Sequence, residues 1–283
     1  MAEFKNQHFV PRCHLENFSS DSNGPKNRIC IFNIKRDKLI IDASIRNQCS
    51  DDYFYGDKFE EQKFHQFESW YAEALKEILR GNMSVAAGEK LRAFLIIQHA
   101  RTEGAAKTLS TYSAMYREAI DPERRDFPTG EGWDVKTALK ESLATAAYIH
   151  KFFYDLKWAI VINKSRVPFI TSDDPVLWTN RYAWQRLRVR RFGAISSGLT
   201  VSMPLSPGHW IIFYDSLVYK MESEAGRIVT IQNDADARTL NDLQCIKALH
   251  NLYCADRNNE TNICQSLHAV EKIRQEERFE LQQ

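Results

Sequence analysis

The spacing of apolar residues changes character along the chain. Arg28 to Ile34 (RICIFNI) and Lys38 to Asp42 (KLIID) are short β-branched runs separated by the polar Lys35-Arg36-Asp37, which predicts a hairpin. Phe64, Phe67, Tyr71, Leu75 and Ile78 then fall three and four apart, the spacing of one helix face, and Gly81 supplies a stop. A longer helical run from about Ala86 to Ile120 is apolar at Leu91, Phe94, Leu95 and Ile97. It turns polar through Gln98, His99, Arg101 and Thr102, with Gly104 as a candidate break. Lys136 to Tyr154 predicts another helix, with Leu139, Leu143, Ala147 and Ile149 on its apolar side.

Short apolar runs of period two follow, predicting strands at Lys157 to Asn163, Val167 to Thr171, Leu199 to Met203 and Trp210 to Asp215, with Val218 to Met221 a weaker candidate. Asp234 to Cys254 reads as a helix and the residues from Ala269 as a charged helix or tail. Ahead of the hairpin, Gln7 to Phe18 (QHFVPRCHLENF) fits a short helix entered after Pro11. Helices between an amino-terminal hairpin and a later block of strands predict an α+β fold, its helical middle packed on a mainly antiparallel sheet built from the hairpin and the later strands. One domain over residues 1–283 is expected, and the Pro/Gly-rich loop Asp121 to Gly132 is the one place for a subdivision.

Composition narrows the classes. The 283 residues carry 38 Lys+Arg against 37 Asp+Glu, a formal charge of +1, which excludes a histone-like or acidic-tail protein. No apolar stretch approaches the ~20 residues that cross a bilayer, and the start MAEFKNQH lacks an apolar signal core, so no membrane partner and a cytoplasmic, plausibly bacterial, location are expected. Six cysteines without a C-x-x-C pair read as buried reduced thiols. G-x-G-x-x-G, P-loop, G-x-S-x-G and H-E-x-x-H patterns are all missing, which argues against Rossmann, P-loop, α/β-hydrolase and zincin chemistry.

Three polar clusters could carry chemistry. Gln7, His8, Arg12, His14 and Asn17 surround Pro11: imidazoles that titrate near neutrality and a guanidinium that grips phosphate, or equally a capped turn whose histidines pack on aromatics. Gln98 and Arg101, three apart on a helix, share a face that offers an amide and a guanidinium, while His99 points about 100° away. Phe169 to Val176 (FITSDDPV) is an apolar strand ending at Thr171, Ser172, Asp173, Asp174 and Pro175, where paired carboxylates suit a divalent metal such as magnesium, or form a plain Asx turn. A fourth feature, Asn180 to Phe192, places Arg186, Arg188 and Arg190 on one face of a strand among aromatics, the mixture that single-stranded nucleic acid requires, or a charge-protected edge strand.

The motifs Gln7-His8-Phe9-Val10-Pro11 with Leu15-Glu16-Asn17-Phe18, Gln98-His99-Ala100-Arg101-Thr102 and Thr171-Ser172-Asp173-Asp174-Pro175 together resemble a bacterial family known as the domain of unknown function numbered 4238, over about residues 7 to 215. Asp174 departs from the Asn usual there. The resemblance implies that His8, Arg12, Gln98, Arg101, Ser172 and Asp173 converge on one pocket. The expectation is a phosphodiester-cleaving nuclease or related hydrolase in a bacterial defence or toxin setting. His8 serves as acid/base, Arg12 and Arg101 hold a phosphate, Gln7, Gln98 and Ser172 position substrate, and Asp173 either binds a metal, with Asp174, or orients His8. Arg186, Arg188 and Arg190 guide nucleic acid. The competing expectation is a noncatalytic module binding a small anion or a protein partner at the same residues.

Overall fold

The computed structural model describes residues 6–20, 27–56, 62–119, 134–183, 185, 192–221 and 227–280. The fold is α+β, and helices and strands follow the amphipathic pattern closely in the middle of the chain. Helix α1 (Arg12–Leu15) enters after Pro11, α2 spans Gln62–Leu79 and stops at Gly81 (φ +82°). Helix α3 (Val85–Ala100) is capped by Ser84, whose hydroxyl accepts the Ala87 N–H at 3.0 Å. Helix α4 (Glu103–Ala119) begins two residues on, so the long run breaks at Arg101 and Thr102, ahead of Gly104. Thr102 caps α4 by accepting the Ala105 N–H, and Asp134 caps α5 (Val135–Ile149).

The hairpin strands β2 (Arg28–Asn33) and β3 (Lys38–Ser44) do join later strands, but only two of them. The four-stranded order is β3-β2-β11-β6, with β6 at Thr171–Ser172 and β11 at Asn251–Cys254. The other later strands make a separate five-stranded sheet, β10-β5-β9-β8-β7, from β5 (Lys157–Asn163), β7 (Leu177–Thr179), β8 (Thr200–Ser206), β9 (His209–Tyr214) and β10 (Ile228–Ile231). Among the described residues, only β10 with β5 pairs parallel. A third, two-stranded pair joins β1 (Asn6–His8) to β4 (Ser50–Asp52).

Several sequence-based assignments change. The helix expected to Cys254 ends at Lys247 as α6 (Asp234–Lys247), because the next residues turn into β11 with their amides claimed by Asp173. Val167 to Ile170 and Val218 to Met221 form no strand, although the Phe169 N–H donates to the Pro207 carbonyl at 2.9 Å. The last helix, α7 (Glu260–Glu280), begins nine residues before Ala269. The Asp121 to Gly132 loop lies outside the described residues.

Packing explains why two sheets form. Helices α2, α3 and α5 bury Tyr71, Leu75, Leu91, Phe94, Leu95 and Ala146 against Trp158, Ile160, Val201, Met203 and Ile211 of the five-stranded sheet. The same sheet also contributes Val161 and Trp210 to a cluster with Ala237, Leu240 and Leu243 of α6. The four-stranded sheet meets α6 and α7 through Cys30, Phe32, Cys245, Leu252 and Ile263, and meets the amino-terminal segment through Ile29, Ile31 and Tyr253, which contact Val10, Leu15 and Phe18. The first and third sequence motifs therefore lie against the same small sheet.

Gly88 marks a close approach of α3 to the five-stranded sheet. A methyl group there would overlap the buried indole of Trp158. Gly88→Ala gains up to ~1 kcal/mol in helix propensity, but forcing the ring aside costs about 1–3 kcal/mol. The expected outcome is net destabilisation, read as a lower urea midpoint with an unchanged slope.

Candidate functional site

At the carboxyl end of α3 the one-turn spacing of Gln98 and Arg101 turns both side chains to the amino-terminal motif. Gln98 Nε2 donates to the Phe9 carbonyl at 2.8 Å and Arg101 Nε donates to the same oxygen at 3.1 Å. Arg101 is fully buried, its guanidinium 4.9 Å from the centroid of the Phe64 ring and its Nη2 2.9 Å from Glu68 Oε1 on α2. The Tyr55 hydroxyl closes the group by donating to the Arg101 carbonyl at 3.2 Å. Two polar atoms are left over: Arg101 Nη1 and Gln98 Oε1 are buried and have no partner among the described residues.

His8 lies at the edge of this group. Its Nε2 is 3.2 Å from the Arg46 carbonyl. A carbonyl only accepts, so this nitrogen carries the proton and the lone pair of the neutral ring sits on Nδ1. Burial lowers the His8 pKa; the Arg46 carbonyl opposes the shift, Arg12 and Arg101 add to it, and Glu68 opposes it. His8, Arg12, Glu68 and Arg101 thus act on one another electrostatically. Arg12 is half exposed, with Glu16 3.8 Å away. Gln7 faces elsewhere: it accepts the Tyr55 N–H at 2.7 Å and donates to the Gly56 carbonyl at 3.2 Å, fixing that turn.

The third motif meets the second through Thr102. Its hydroxyl donates to Asp174 Oδ1 at 3.1 Å, and Lys247 Nζ lies 3.1 Å from Asp174 Oδ2. Gly104 is required at this meeting point, because a Cβ there would collide with Asp174 Oδ2. Burial raises the Asp174 pKa against the opposing pull of Lys247 and Thr102. Asp173 turns to the other side, where its carboxylate accepts three consecutive backbone N–H groups, from Leu249 at 2.8 Å, His250 at 2.6 Å and Asn251 at 3.0 Å. Burial nonetheless pushes its pKa up to about 6. Ser172 donates to Gln244 Oε1 at 2.8 Å, and Gln244 donates on to the Pro175 carbonyl.

The first and third motifs meet through His14. Its Nδ1 is 2.7 Å from the Tyr71 hydroxyl and its Nε2 is 2.8 Å from the Thr171 hydroxyl, all of it buried. The three motifs are therefore one connected polar network, although its members face different ways. Arg101 contacts Glu68 and shares the Phe9 carbonyl with Gln98, while Arg12, Glu68 and Arg101 act on His8 through their charges alone. Ser172 and Asp173 bond to the segment 244–251, and no hydrogen bond joins Asp173 to His8. Among the described residues no three His, Cys, Asp or Glu side chains are grouped so as to hold a metal ion. Arg186, Arg188 and Arg190 lie outside the described residues.

Sequence reasoning missed Glu68, Gln244, Lys247 and His250. Glu68 and Lys247 are ordinary charges on helices, and only the fold shows that each faces a buried partner. His250 bonds Glu103 through Nε2 at 3.2 Å, while its backbone amide binds Asp173. A family model described as a protein of unknown function, DUF4238, matches residues 6–258. No curated protein and no solved structure matches the chain. No described helix is long and apolar enough to cross a membrane.

Two outcomes follow from this network. Asp173→Ala strands three amide donors, each costing about 1–3 kcal/mol when left unmet, so a loss of roughly 3 kcal/mol is expected. Arg12→Ala, half exposed, should stay within about 0.5 kcal/mol. Urea titration of both variants decides this. In the second, His14 and His99 are each held down to about 3 by burial, so each takes up a proton on unfolding below its ordinary 6.5, which removes stability as pH falls. Asp173, raised to about 6, works in the opposite sense between its ordinary 3.8 and 6. Lowered His8 and His209 act in the histidines' sense and raised Asp174 in that of Asp173, so the histidine contribution is read by difference: His99→Gln should flatten the fall of stability on acidification by up to about 1.4 kcal/mol per pH unit, measured by urea titration at pH 5.5 and 4.5.

Proposed function

The chain belongs to the DUF4238 family, and from that premise we propose that it is a phosphodiester-cleaving nuclease or related hydrolase whose anion site is formed by His8, Arg12 and Arg101. The observation that carries this reading is Arg101 Nη1, a buried guanidinium donor with no partner among the described residues. Such a group is costly to leave unmet, and a phosphate oxygen is the acceptor that a guanidinium fits best. Arg12 brings a second cation at the exposed rim. Gln98 Oε1, also unmet, offers an acceptor to a substrate hydroxyl. His8 is neutral at pH 7 with its lone pair on Nδ1, and serves as the base that takes a proton from the attacking water or hydroxyl.

Glu68 holds Arg101 in position. In this reading Ser172, Asp173 and Asp174 fasten the motifs together, their oxygens being engaged with Gln244, with three amides, and with Thr102 and Lys247. Gln7 supports the turn beneath His8. The Arg186, Arg188 and Arg190 stretch is assigned to guiding nucleic acid on its sequence alone, and a cytoplasmic defence or toxin setting rests on the resemblance alone.

A second reading, a noncatalytic module for an anionic ligand, draws on a different observation. Gln98 and Arg101 are both anchored to the Phe9 carbonyl, which makes a rigid receptor whose Arg101 charge reaches the His8 imidazole. Purified protein should be tested on labelled single-stranded RNA, single-stranded DNA and duplex DNA, with magnesium, with manganese and with chelator. The expected result is cleavage that falls on the order of 10²–10⁴-fold in His8→Ala with the fold intact by circular dichroism. Because the His8 pKa is lowered, the wild-type rate should climb with pH only below 6.5 and be flat above it. Salt-sensitive binding without cleavage, weakened by Arg12→Ala, would favour the module; neither cleavage nor binding overturns both readings.

A further inference from the structure

Strands β2 and β11 pair antiparallel with Cys30 directly opposite Cys254. Opposed Cα atoms in such a pair stand about 4.5–5.5 Å apart, inside the roughly 4.4–6.8 Å that a disulfide spans. Cross-strand partners leave the sheet on the same face, and both thiols enter the core formed with Phe32, Leu252 and Ile263. Both are free, and each shifts the other's titration, as neighbouring thiols do. Two strands distant in sequence thus bring a thiol pair into disulfide reach.

We propose that Cys30 and Cys254 form an oxidation site, which hydrogen peroxide converts into a cross-strand disulfide. The two neighbouring thiols differ in acidity: Cys254 holds the Cys30 pKa below the ordinary thiol value, while Cys30 and burial push that of Cys254 well above it. Cys30 is therefore the sulfur that attacks. It forms an S–O bond as the peroxide O–O bond breaks, and the Cys30 proton leaves with the departing oxygen as the first water. The Cys254 sulfur then attacks the Cys30 sulfenic acid. The S–S bond forms, the S–O bond breaks, and the Cys254 proton leaves with the hydroxyl as the second water. Two thiols have lost two electrons to one peroxide, with nothing left over. The bond would tie the hairpin to β11, just after the 249–251 segment that Asp173 clamps.

The other four cysteines provide the comparison. Cys264 is exposed and Cys13 partly so; Cys49 is paired with the Tyr253 hydroxyl, and Cys245 shares the core of the pair but sits on α6. Exposure alone would direct oxidation to Cys264, whereas register directs disulfide formation to the buried pair.

The test treats the full chain with hydrogen peroxide, quenches with acid, alkylates in denaturant and maps peptides by mass spectrometry without reduction. In a Cys13→Ser/Cys264→Ser background, four free thiols should fall to two, with a Cys30–Cys254 linked peptide that dithiothreitol releases. Adding Cys254→Ser should leave a dimedone-trapped sulfenic acid at Cys30, while adding Cys30→Ser should leave none at Cys254. Four thiols retained, or Cys245 as the linked partner, would overturn the proposal. The linked peptide in unsubstituted protein decides the matter even if a serine variant folds poorly.

Discussion

A guanidinium with no exposed surface organises this molecule. Burying a charge is tolerated only where opposing charge and acceptors are assembled around it, and Arg101 draws its acceptors from separate parts of the chain. The Phe9 carbonyl brings in the amino-terminal segment, Glu68 brings α2, and the face of Phe64 completes the enclosure. Contacts so distant in sequence form only when the helical middle and the amino terminus are already in register. The same constraint leaves one nitrogen unmet, because the enclosure has fewer acceptors than the guanidinium has donors.

The network is also a division of labour between adjacent residues. Arg101 faces the amino-terminal motif, and Thr102 faces Asp174 of the third motif. Asp173 and Asp174 divide in the same way: one clamps the turn that leads from α6 into β11, and the other receives Thr102 and Lys247. Paired polar letters in the sequence thus correspond to paired directions in the fold. A residue can belong to the motif and stand well outside the reacting group.

The helices and the hairpin were legible because their signals are local. Phe64 to Ile78 shows a helix face at every step, and β2 and β3 are joined by a polar turn. Strand β11 was hidden because Leu252 continues the apolar spacing of α6, and what ends the helix is a carboxylate about 75 positions earlier. Division into two sheets was likewise invisible, since strand pairing is decided by which helix fills each gap. At the candidate site, Gln98 and Arg101 could be placed on one helix face from spacing, and the meeting of the three motifs from their resemblance to a family. Glu68 and Lys247 could not be found, because a lone charge on a helix looks the same whether it meets water or a buried partner.

The break between α3 and α4 places a length constraint on the chain. Each helical residue turns the next by about 100° and advances it about 1.5 Å. One residue inserted between Gln98 and Arg101 would carry the guanidinium to the wrong side of the helix, and one deleted between them would swing it as far the other way. The junction is thus a spacer of fixed length, and relatives that keep this network should vary in the residues around it far more readily than in their number.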